Sequence, residues 1–387
     1  MTGHKLGLSR RAARLAVAYR KCSKQFARRD GGGGLRQNNQ PNAMLRDLRY
    51  LFAYTLPLST VLALTMQGYW SYATVLYAFG VIPILDQVLG QQRANESGEE
   101  SGERVLVQRF FDVLLYLNVP ILWGCVGYFV VLVAGGGLAT YELVGLVLSV
   151  GILSGSLGIN VAHELGHRVR KFEQVLAQAL LLPSLYTHFF VEHNRGHHKH
   201  VATPLDPATS RRGELIYAFW VRSVVGSYRN AWRLEATRLG RDGRGALTLD
   251  NQMVQFTLVQ AALLVAIGAT FGAVALAAFV AQAVVGFLLL ESVNYVEHYG
   301  LLRKQLPSGR YEPVTPRHSW NSEHEIGRIV LYELTRHADH HYKANRPFQQ
   351  LRWLPESPEL PAGYPASILM ALVPPVWFSV MDKRVPV

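Results

Sequence analysis

Cysteine is almost missing from this chain of 387 residues, which contains only Cys22 and Cys125. Two such distant cysteines exclude a disulfide framework, a zinc ribbon and an iron–sulfur site built by the chain itself. If the chain needs electrons, another molecule must therefore carry them. Charged residues are also few, at 17% against 49% hydrophobic residues, which places the composition at the apolar end of the range for soluble proteins.

The hydrophobic residues are gathered into long blocks that contain few charges. Four blocks have the length of one membrane-crossing helix, and a fifth is about twice the roughly 20 residues that a helix needs to cross a bilayer. The blocks cover residues 51–70, 71–90, 113–135, 141–162 and 253–295. Dividing the fifth near Thr270 to Gly272 gives six spans. The sequence therefore predicts an all-α integral membrane protein with six transmembrane helices.

The net charge of +12 is distributed unevenly along the chain. Residues 1–42 are basic, contain a GGGG run and lack an apolar core, so they are predicted to form a disordered tail. The positive-inside rule places this tail in the cytoplasm. The remaining predicted segments are residues 43–162 with spans 1–4, residues 163–252 in the cytoplasm, residues 253–295 with spans 5 and 6, and residues 296–387 in the cytoplasm. The positive charge anchors this topology and attracts anionic membrane lipids, and no motif predicts nucleic-acid binding.

Nine of the 14 histidines lie in four clusters at ligand spacing. The stretches AHELGHR, VEHNRGHHKH, VNYVEHYGL and TRHADHH supply His163, His167, His193, His197, His198, His298, His337, His340 and His341. One buried histidine is usually a packing residue, but nine grouped rings would each lose solvation without a metal to compensate. Nine imidazoles also exceed what one ion can hold, so two ions are predicted. Neutral nitrogen ligands suit iron, copper, zinc and nickel, and the spacing leaves that choice open.

Carboxylates accompany these clusters and are predicted to orient the ligands by accepting the second ring N–H. They are Glu164, Glu192, Asp206, Glu297 and Asp339. The alternative for each is a solvated charge beside the membrane. The remaining histidines are predicted to be tail, packing or surface residues: His4, His188, His200, His318 and His324, with His318 the first exception to consider.

The clusters and their flanks, which include HELGH, EHNRGHHKHVATPLDPATS, NYVEHYGLLR and RHADHH, resemble the histidine boxes of the integral-membrane alkane 1-monooxygenases. That group belongs to the membrane di-iron superfamily of desaturases and hydroxylases, and the resemblance runs from about residue 45 to Asp382. It implies a six-helix transmembrane bundle with a cytoplasmic histidine-rich catalytic domain. The same resemblance implies two non-haem iron ions held by the nine histidines, and use of O2 to hydroxylate the terminal methyl of medium- to long-chain n-alkanes. It also implies a separate rubredoxin with an NAD(P)H-dependent reductase, and a place in the bacterial inner membrane with both termini and the active site cytoplasmic. Thr335 and Ala338 depart from the usual LQRHSDHH pattern, and Arg168 stands where Lys is usual.

An alkane substrate would enter from the lipid phase, and small residues in the second span, Ala78 and Gly80, are predicted to leave room for its chain. Close helix packing is the alternative explanation for both residues. Three competing functions remain. A desaturase or hydroxylase of acyl lipids would use the same metal site. A zinc protease built on HELGH would leave six histidines unexplained, and a metal transporter would carry its ligands near the bilayer midplane.

Overall fold

A computed structural model of the protein describes residues 47–95 and 103–386, so the predicted tail at residues 1–42 lies outside the described residues. Within those two ranges the chain is helical, and β-pairing is limited to three isolated bridges. The long apolar helices and the grouped histidines confirm the predicted all-α membrane fold with a histidine-rich region.

Among the described residues, five helices are long and apolar enough to cross a membrane. They are Leu48–Met66, Gly68–Leu89, Gln108–Gly135, Thr140–Gly166 and Gln252–His298. The last is interrupted at Gly272, whose φ of 85° and ψ of 174° are not helical. Glycine adopts such a positive φ without the steric cost that a side chain would add. We therefore treat this helix as span 5 before Gly272 and span 6 after it, which places the break in the predicted interval.

Two of these helices extend further than the hydrophobic blocks. Span 4 runs to Gly166 and span 6 to His298. The predicted segment boundaries after residues 162 and 295 therefore fall inside continuous helices. As a consequence, His163 and His298 are carried on the ends of the helices that contain spans 4 and 6.

In the part of the chain that the structure describes, seven helices follow or connect the spans on the histidine side. They are α1 (Lys171–Leu181), α2 (residues 189–200), α3 (Ile216–Arg241), α4 (Glu325–Val330), α5 (His337–Tyr342), α6 (Tyr364–Ala371) and α7 (Pro374–Met381). Short 3₁₀ turns lie at Leu182–Ser184, Pro316–His318 and Phe348–Gln350. The pair α6–α7 is as apolar as a span but is bent by 118°. This pair lies within residues 296–387, which the sequence assigns to the cytoplasm without indicating an apolar hairpin.

Three helices contain a π-helical section, where hydrogen bonds run from residue i to i+5 and one extra residue widens the turn. These sections are Tyr77–Val81 in span 2, Ser154–Gly158 in span 4 and His193–His197 in α2. All three border the site described below, in agreement with the frequent occurrence of π-bulges at functional sites.

Glycines allow the elements around the site to approach closely. A Cβ added at Gly155 of span 4 would lie 2.4 Å from the carbonyl oxygen of Gly286 in span 6. Near the histidine end, the buried carboxylate of Asp86 in span 2 accepts a 3.0 Å hydrogen bond from the backbone N–H of Gly327 in α4. A Cβ added at Gly363 would lie 2.3 Å from the same carboxylate. Asp86 thereby ties the starts of α4 and α6 to span 2.

A buried network of four charges supports the segment that leads into α5. Arg336 Nε donates to Glu323 at 3.0 Å, and Arg328 Nε donates to Glu333 at 2.7 Å. Arg336 also donates to the carbonyl of Leu351 at 2.8 Å. Two arginines and two glutamates balance in charge, which is the condition under which buried ions are tolerated.

Candidate metal centre

The structure brings the nine clustered histidines together in two groups. The first group contains His163, His167, His193, His198 and His340, and the second contains His197, His298, His337 and His341. In each group, one nitrogen per ring lies within 4.8 Å of the corresponding nitrogens of the other rings. The groups are neighbours, since the ring centroids of His198 and His341 are 4.6 Å apart.

Local helix geometry decides which histidine joins which group. His163 and His167 are four residues apart on one helix and share a face, as the spacing predicts. The stretch around residue 195 behaves differently, because in an α-helix five residues turn through about 500° and would separate His193 from His198 by about 140°. The π-helical section His193–His197 reduces this separation, and His193 and His198 join the first group while His197 joins the second.

Distances between ring nitrogens agree with a bound ion. Nε2 of His198 is 3.0 Å from Nε2 of His193 and 3.1 Å from Nε2 of His340. In the second group, Nε2 of His337 is 3.2 Å from Nε2 of His298 and 2.8 Å from Nε2 of His341. An ion about 2.1 Å from two ligand nitrogens at a right angle separates those nitrogens by about 3.0 Å. The rings therefore lie at coordination distance from a common centre.

The protonation states also suit metal binding. Burial and the neighbouring rings hold the pKa of five histidines well below its ordinary value: His193, His198, His337, His340 and His341. Burial lowers the pKa of His167 to about 4. These rings are consequently neutral at pH 7 and keep a lone pair for an ion. Nε2 of His163 and of His167 is buried without a hydrogen-bond partner among the described residues, as expected of a ligand atom that faces an ion.

Asp206 contacts the outer nitrogen of a ligand ring, as the sequence predicts. Its carboxylate lies 2.9 Å from Nδ1 of His197 and also accepts bonds from the hydroxyl of Thr209 at 2.6 Å and the N–H of Ala208 at 3.0 Å. Burial alone would raise the pKa of Asp206, but the attraction and hydrogen bond of His197, with help from Thr209, lower it overall. The ionised carboxylate keeps the proton of His197 on Nδ1, so that Nε2 is free to face the second group.

Glu297 has a different position from the one predicted. Its Oε2 lies 3.2 Å from Nε2 of His337, the same nitrogen that faces His298 and His341. The other oxygen accepts a 2.7 Å hydrogen bond from the hydroxyl of Tyr364. Glu297 therefore lies on the ion-facing side of the second group and does not accept an outer ring N–H.

The other three predicted carboxylates bond to groups other than the histidine rings. Glu164 pairs with Arg168 at 2.8 Å, and Glu192 accepts from the side-chain amide of Asn230 at 3.2 Å. Asp339 pairs with Arg346 and accepts from the N–H and guanidinium of Arg352. The expectation that these three accept ring N–H groups needs correction, because basic and amide side chains on neighbouring elements occupy their oxygens.

The remaining described histidines lie outside both groups. His318 accepts a 3.0 Å bond from the N–H of Thr315, and His324 lies 3.0 Å from the hydroxyl of Ser322. His188 is packed between Tyr186 and Tyr228, and burial lowers its pKa to about 3. His200 is only partly buried. His4 lies outside the described residues.

The two positions that depart from the usual pattern of the fourth cluster are both buried. The N–H of Ala338 donates to the side-chain oxygen of Asn321 at 2.8 Å, which holds the first turn of α5. The hydroxyl of Thr335 is buried without a partner among the described residues. Neither residue contributes a side chain to the two histidine groups.

A cavity of about 870 Å³, including its open mouth, lies between spans 1, 2, 4 and 6 and reaches the metal centre. Leu56, Ile152, Ile159, Leu290 and Val330 are among its apolar walls, and His163, His193 and His337 form its histidine end. Both histidine groups are therefore in contact with the cavity.

Only one of the two small residues predicted to border a substrate chain lines the cavity. Ala78, in the π-helical section of span 2, lines the cavity, whereas Gly80 is not among the lining residues, and a Cβ added there would meet no atom within 4 Å. The structure therefore places Ala78, but not Gly80, at the cavity.

Sequence reasoning missed several polar residues of this cavity, namely Asn160, Asn294 and Tyr364. Asn160 donates to the carbonyl of Leu331 at 2.7 Å, and Asn294 donates to the buried Glu291 at 3.3 Å. A signal was present, because both asparagines are polar residues inside hydrophobic blocks, where polar groups usually mark a functional site.

The fold and site together define a multi-pass membrane protein with a histidine-rich metal centre at the end of an apolar cavity. A family model described as fatty acid desaturase matches residues 139–367. The chain is 43% identical to an alkane 1-monooxygenase of Pseudomonas putida over 79% of this chain and 76% of that protein. It is 42% identical to alkane 1-monooxygenase 1 of Alcanivorax borkumensis over 84% and 80% of the two chains. A xylene/toluene monooxygenase hydroxylase component of Pseudomonas putida is 30% identical over 87% and 88%.

These matches cover most of each protein. The chain belongs to the fatty acid desaturase family and, within it, to the alkane 1-monooxygenase group of oxygen-dependent oxidoreductases.

Proposed function

We propose that this protein is a di-iron monooxygenase that uses O2 to hydroxylate the terminal methyl group of medium- to long-chain n-alkanes, with 1-alkanols as products. The observation that carries the proposal is the apolar cavity that ends at histidines of both groups, His163 and His193 of the first and His337 of the second. Relatives that match most of the chain are named alkane 1-monooxygenases, which supports the same substrate class.

The chemistry of the substrate explains why a metal centre is needed. An alkane C–H bond has no acidic proton and no leaving group, so side-chain acids, bases and nucleophiles cannot cleave it. Two bound iron ions would supply the redox chemistry with O2. One oxygen atom enters the C–H bond, and the other leaves as water after the uptake of two electrons and two protons.

The chain's own residues bind and orient the reactants. The nine histidines would hold the ions, with Asp206 fixing the ring of His197. The apolar walls direct the chain so that a terminal methyl reaches the histidine end, and they exclude water from it. Each methylene gains about 0.8 kcal/mol relative to water. Much of that gain disappears when the substrate comes from lipid, so we expect cavity shape to set the preferred chain length.

We further propose that the electrons come from a separate rubredoxin, reduced by an NAD(P)H-dependent reductase. The two cysteines of this chain support an external donor. The donor would approach His167 and His198, which are only partly buried, through a surface groove that His167 shares with Arg168 and Arg195.

The basic tail and the segments that carry histidines support a cytoplasmic orientation of the site in a bacterial inner membrane, with both termini on that side. In this arrangement the donor reaches the centre from the cytoplasm, while the alkane reaches it from the bilayer.

The test is metal content together with product formation. The protein is purified in detergent, iron and zinc are quantified, and rubredoxin, reductase and NADH are supplied with a mixture of alkanes, fatty acids and methylaromatics. About two irons per chain and formation of 1-alkanols are expected. His198→Ala should lose metal and product, whereas the matched control His200→Ala, two residues away and outside both groups, should keep both. Zinc as the bound metal, or oxidation of acyl lipids without alkanes, would contradict the proposal.

A further inference from the structure

Two apolar surfaces are exposed on helices that lie outside the six spans. One consists of Tyr217, Val221, Val225 and Tyr228 on α3, and the other of Leu369, Val373 and Val376 on α6–α7. We call them together the apolar rim. Exposed apolar patches of this kind mark contact with another molecule or with a membrane.

The surface of α3 is divided into three faces. With about 100° per residue, the four rim residues of α3 fall within an arc of about 80°. Phe219, Ser223 and Ser227 lie on a separate face that is buried against the protein. Exposed Arg229 and Arg233 lie on the side of the rim arc away from Tyr217. An apolar arc bordered by arginines is characteristic of a helix that lies in the membrane interface.

Hydrogen bonds place α3 across the ends of spans 5 and 6. Near its C-terminus, Glu235 accepts a 2.8 Å bond from the N–H of Gln252, the first residue of span 5. Near its N-terminus, the indole N–H of Trp220 donates to the hydroxyl of Ser292 at 3.1 Å. Ser292 lies six residues before the end of span 6, or about 9 Å along that helix. The helix α3 therefore lies across the bundle at the histidine ends of spans 5 and 6.

The hairpin α6–α7 begins and ends at the histidine end of span 6. Tyr364 donates to Glu297 at 2.7 Å at the start of the hairpin, and Asp382 accepts from Tyr299 at 2.7 Å at its end. One turn into α6, Ile368 lines the same cavity as Leu289 of span 6. Leu289 lies eight residues before Glu297, or about 12 Å away along the helix. Each helix of the hairpin is only about 12 Å long, which is too short to cross about 30 Å of hydrocarbon. The hairpin therefore enters and leaves on the same side.

The two parts of the rim are joined. The hydroxyl of Tyr217 on α3 donates to the carbonyl of Leu372 at the bend of the hairpin, at 2.6 Å. The hairpin also packs against the π-helical section of span 2, where Leu76 and Val81 are exposed apolar residues of the membrane-facing surface. The rim is thus continuous with the lipid-contacting surface of the spans.

We propose that the apolar rim is embedded in the bilayer leaflet on the histidine side, where lipid acyl chains cover it and anionic headgroups contact Arg229 and Arg233. Its position level with the ends of the spans and its continuity with span 2 favour lipid over a protein partner. The inner side of α6 carries Pro365 and Ile368, which line the cavity. A single helix therefore separates this leaflet from the cavity, and the leaflet is the reservoir closest to the substrate site.

The test measures where the rim lies without relying on activity. The full-length chain with Cys22→Ser and Cys125→Ala receives a single nitroxide label through Val221→Cys or Val376→Cys. The labelled protein is reconstituted in vesicles of phosphatidylcholine and phosphatidylglycerol. Collision with O2, which concentrates in lipid, is compared with collision with a water-soluble nickel chelate. Val265→Cys, exposed in the middle of span 5, is the lipid reference, and Val169→Cys, exposed between His167 and α1, is the water reference.

Labels at Val221 and Val376 should show an O2-to-nickel collision ratio close to that at Val265 and several-fold above that at Val169. A ratio equal to that at Val169 would show a rim in water and overturn the proposal. Low collision with both reagents, together with dipolar broadening between labels, would show that a second copy of the chain covers the rim, and would overturn it as well. All four positions are exposed, so the substitutions should leave the thermal midpoint of unfolding unchanged, and this is checked for each variant.

Discussion

The sharpest test of the metal centre is Asp206→Asn, because the structure predicts that this change weakens one ion and leaves the other. The carboxylate of Asp206 accepts from His197, Thr209 and Ala208. If the amide oxygen of asparagine faces His197, its NH2 group opposes the backbone N–H of Ala208. If the NH2 group faces His197, the ring must move its proton to Nε2, which blocks the ligand atom. Either arrangement costs at least one strong bond.

The expected magnitude follows from the role of such partners. Loss of a carboxylate that orients a ligand ring lowers metal affinity about 10- to 100-fold, which corresponds to about 1.4–2.7 kcal/mol. His197 belongs to the second group alone. The loss should therefore concern the ion of the second group, while the five histidines of the first group keep theirs.

The assay follows the metal content per chain while a chelator is titrated into the purified protein. Asp206→Asn should release about one of its two ions at 10- to 100-fold lower chelator concentration than the unsubstituted protein. Asp339→Asn is the matched control, because Asp339 is also buried beside a histidine cluster but bonds to Arg346 and Arg352. Equal metal retention by Asp206→Asn and the unsubstituted protein would refute the reasoning, as would equal metal loss from both variants.

Three further predictions test the cavity, the buried charges and the acid response. Ala78→Trp should shorten the longest alkane oxidised in product analysis, whereas Gly80→Trp should leave the product range unchanged. Arg336→Met leaves a buried carboxylate without its partner and should cost about 3–5 kcal/mol of stability, while Arg93→Met removes an exposed pair and should cost less than about 1 kcal/mol; thermal unfolding in detergent compares the two. His188 takes up a proton near pH 6.5 when unfolded but only near pH 3 when folded, so stability is lost as pH falls below 6.5. His188→Gln should recover about 2 kcal/mol of the stability lost between pH 7 and pH 5, measured as a smaller fall in the unfolding midpoint.

The spans and the histidine set could be predicted from sequence because both depend on local patterns. Apolar runs of span length identify the helices, and the i, i+4 spacing of His163 and His167 places them on one face. The sequence could not predict that His193 and His198 join the first group while His197 joins the second. This arrangement depends on a π-helical section, which no residue pattern in the sequence indicates.

The hydrogen-bond partners of the carboxylates other than Asp206 also could not be predicted from the sequence. Glu297 directly precedes the ligand His298, so its side chain is expected to point away from the ligand on a helix. In the structure, α5 and α6 pack against the end of span 6, so that Glu297 lies between His337 and Tyr364. Contacts of this kind join segments far apart in sequence, and they became visible only once the fold was known.

The two histidine groups differ in their number of rings, their exposure and the carboxylates beside them. The first group has five rings, and two of them, His167 and His198, reach the protein surface. The second group has four buried rings, with the carboxylates of Asp206 and Glu297 beside it. Negative charge favours the ion of the second group, whereas exposure makes the ion of the first group the one closer to an electron donor. We therefore expect chelators to remove the first-group ion sooner in the unsubstituted protein and the second-group ion sooner in Asp206→Asn, a reversal that a purely structural role of Asp206 would not produce.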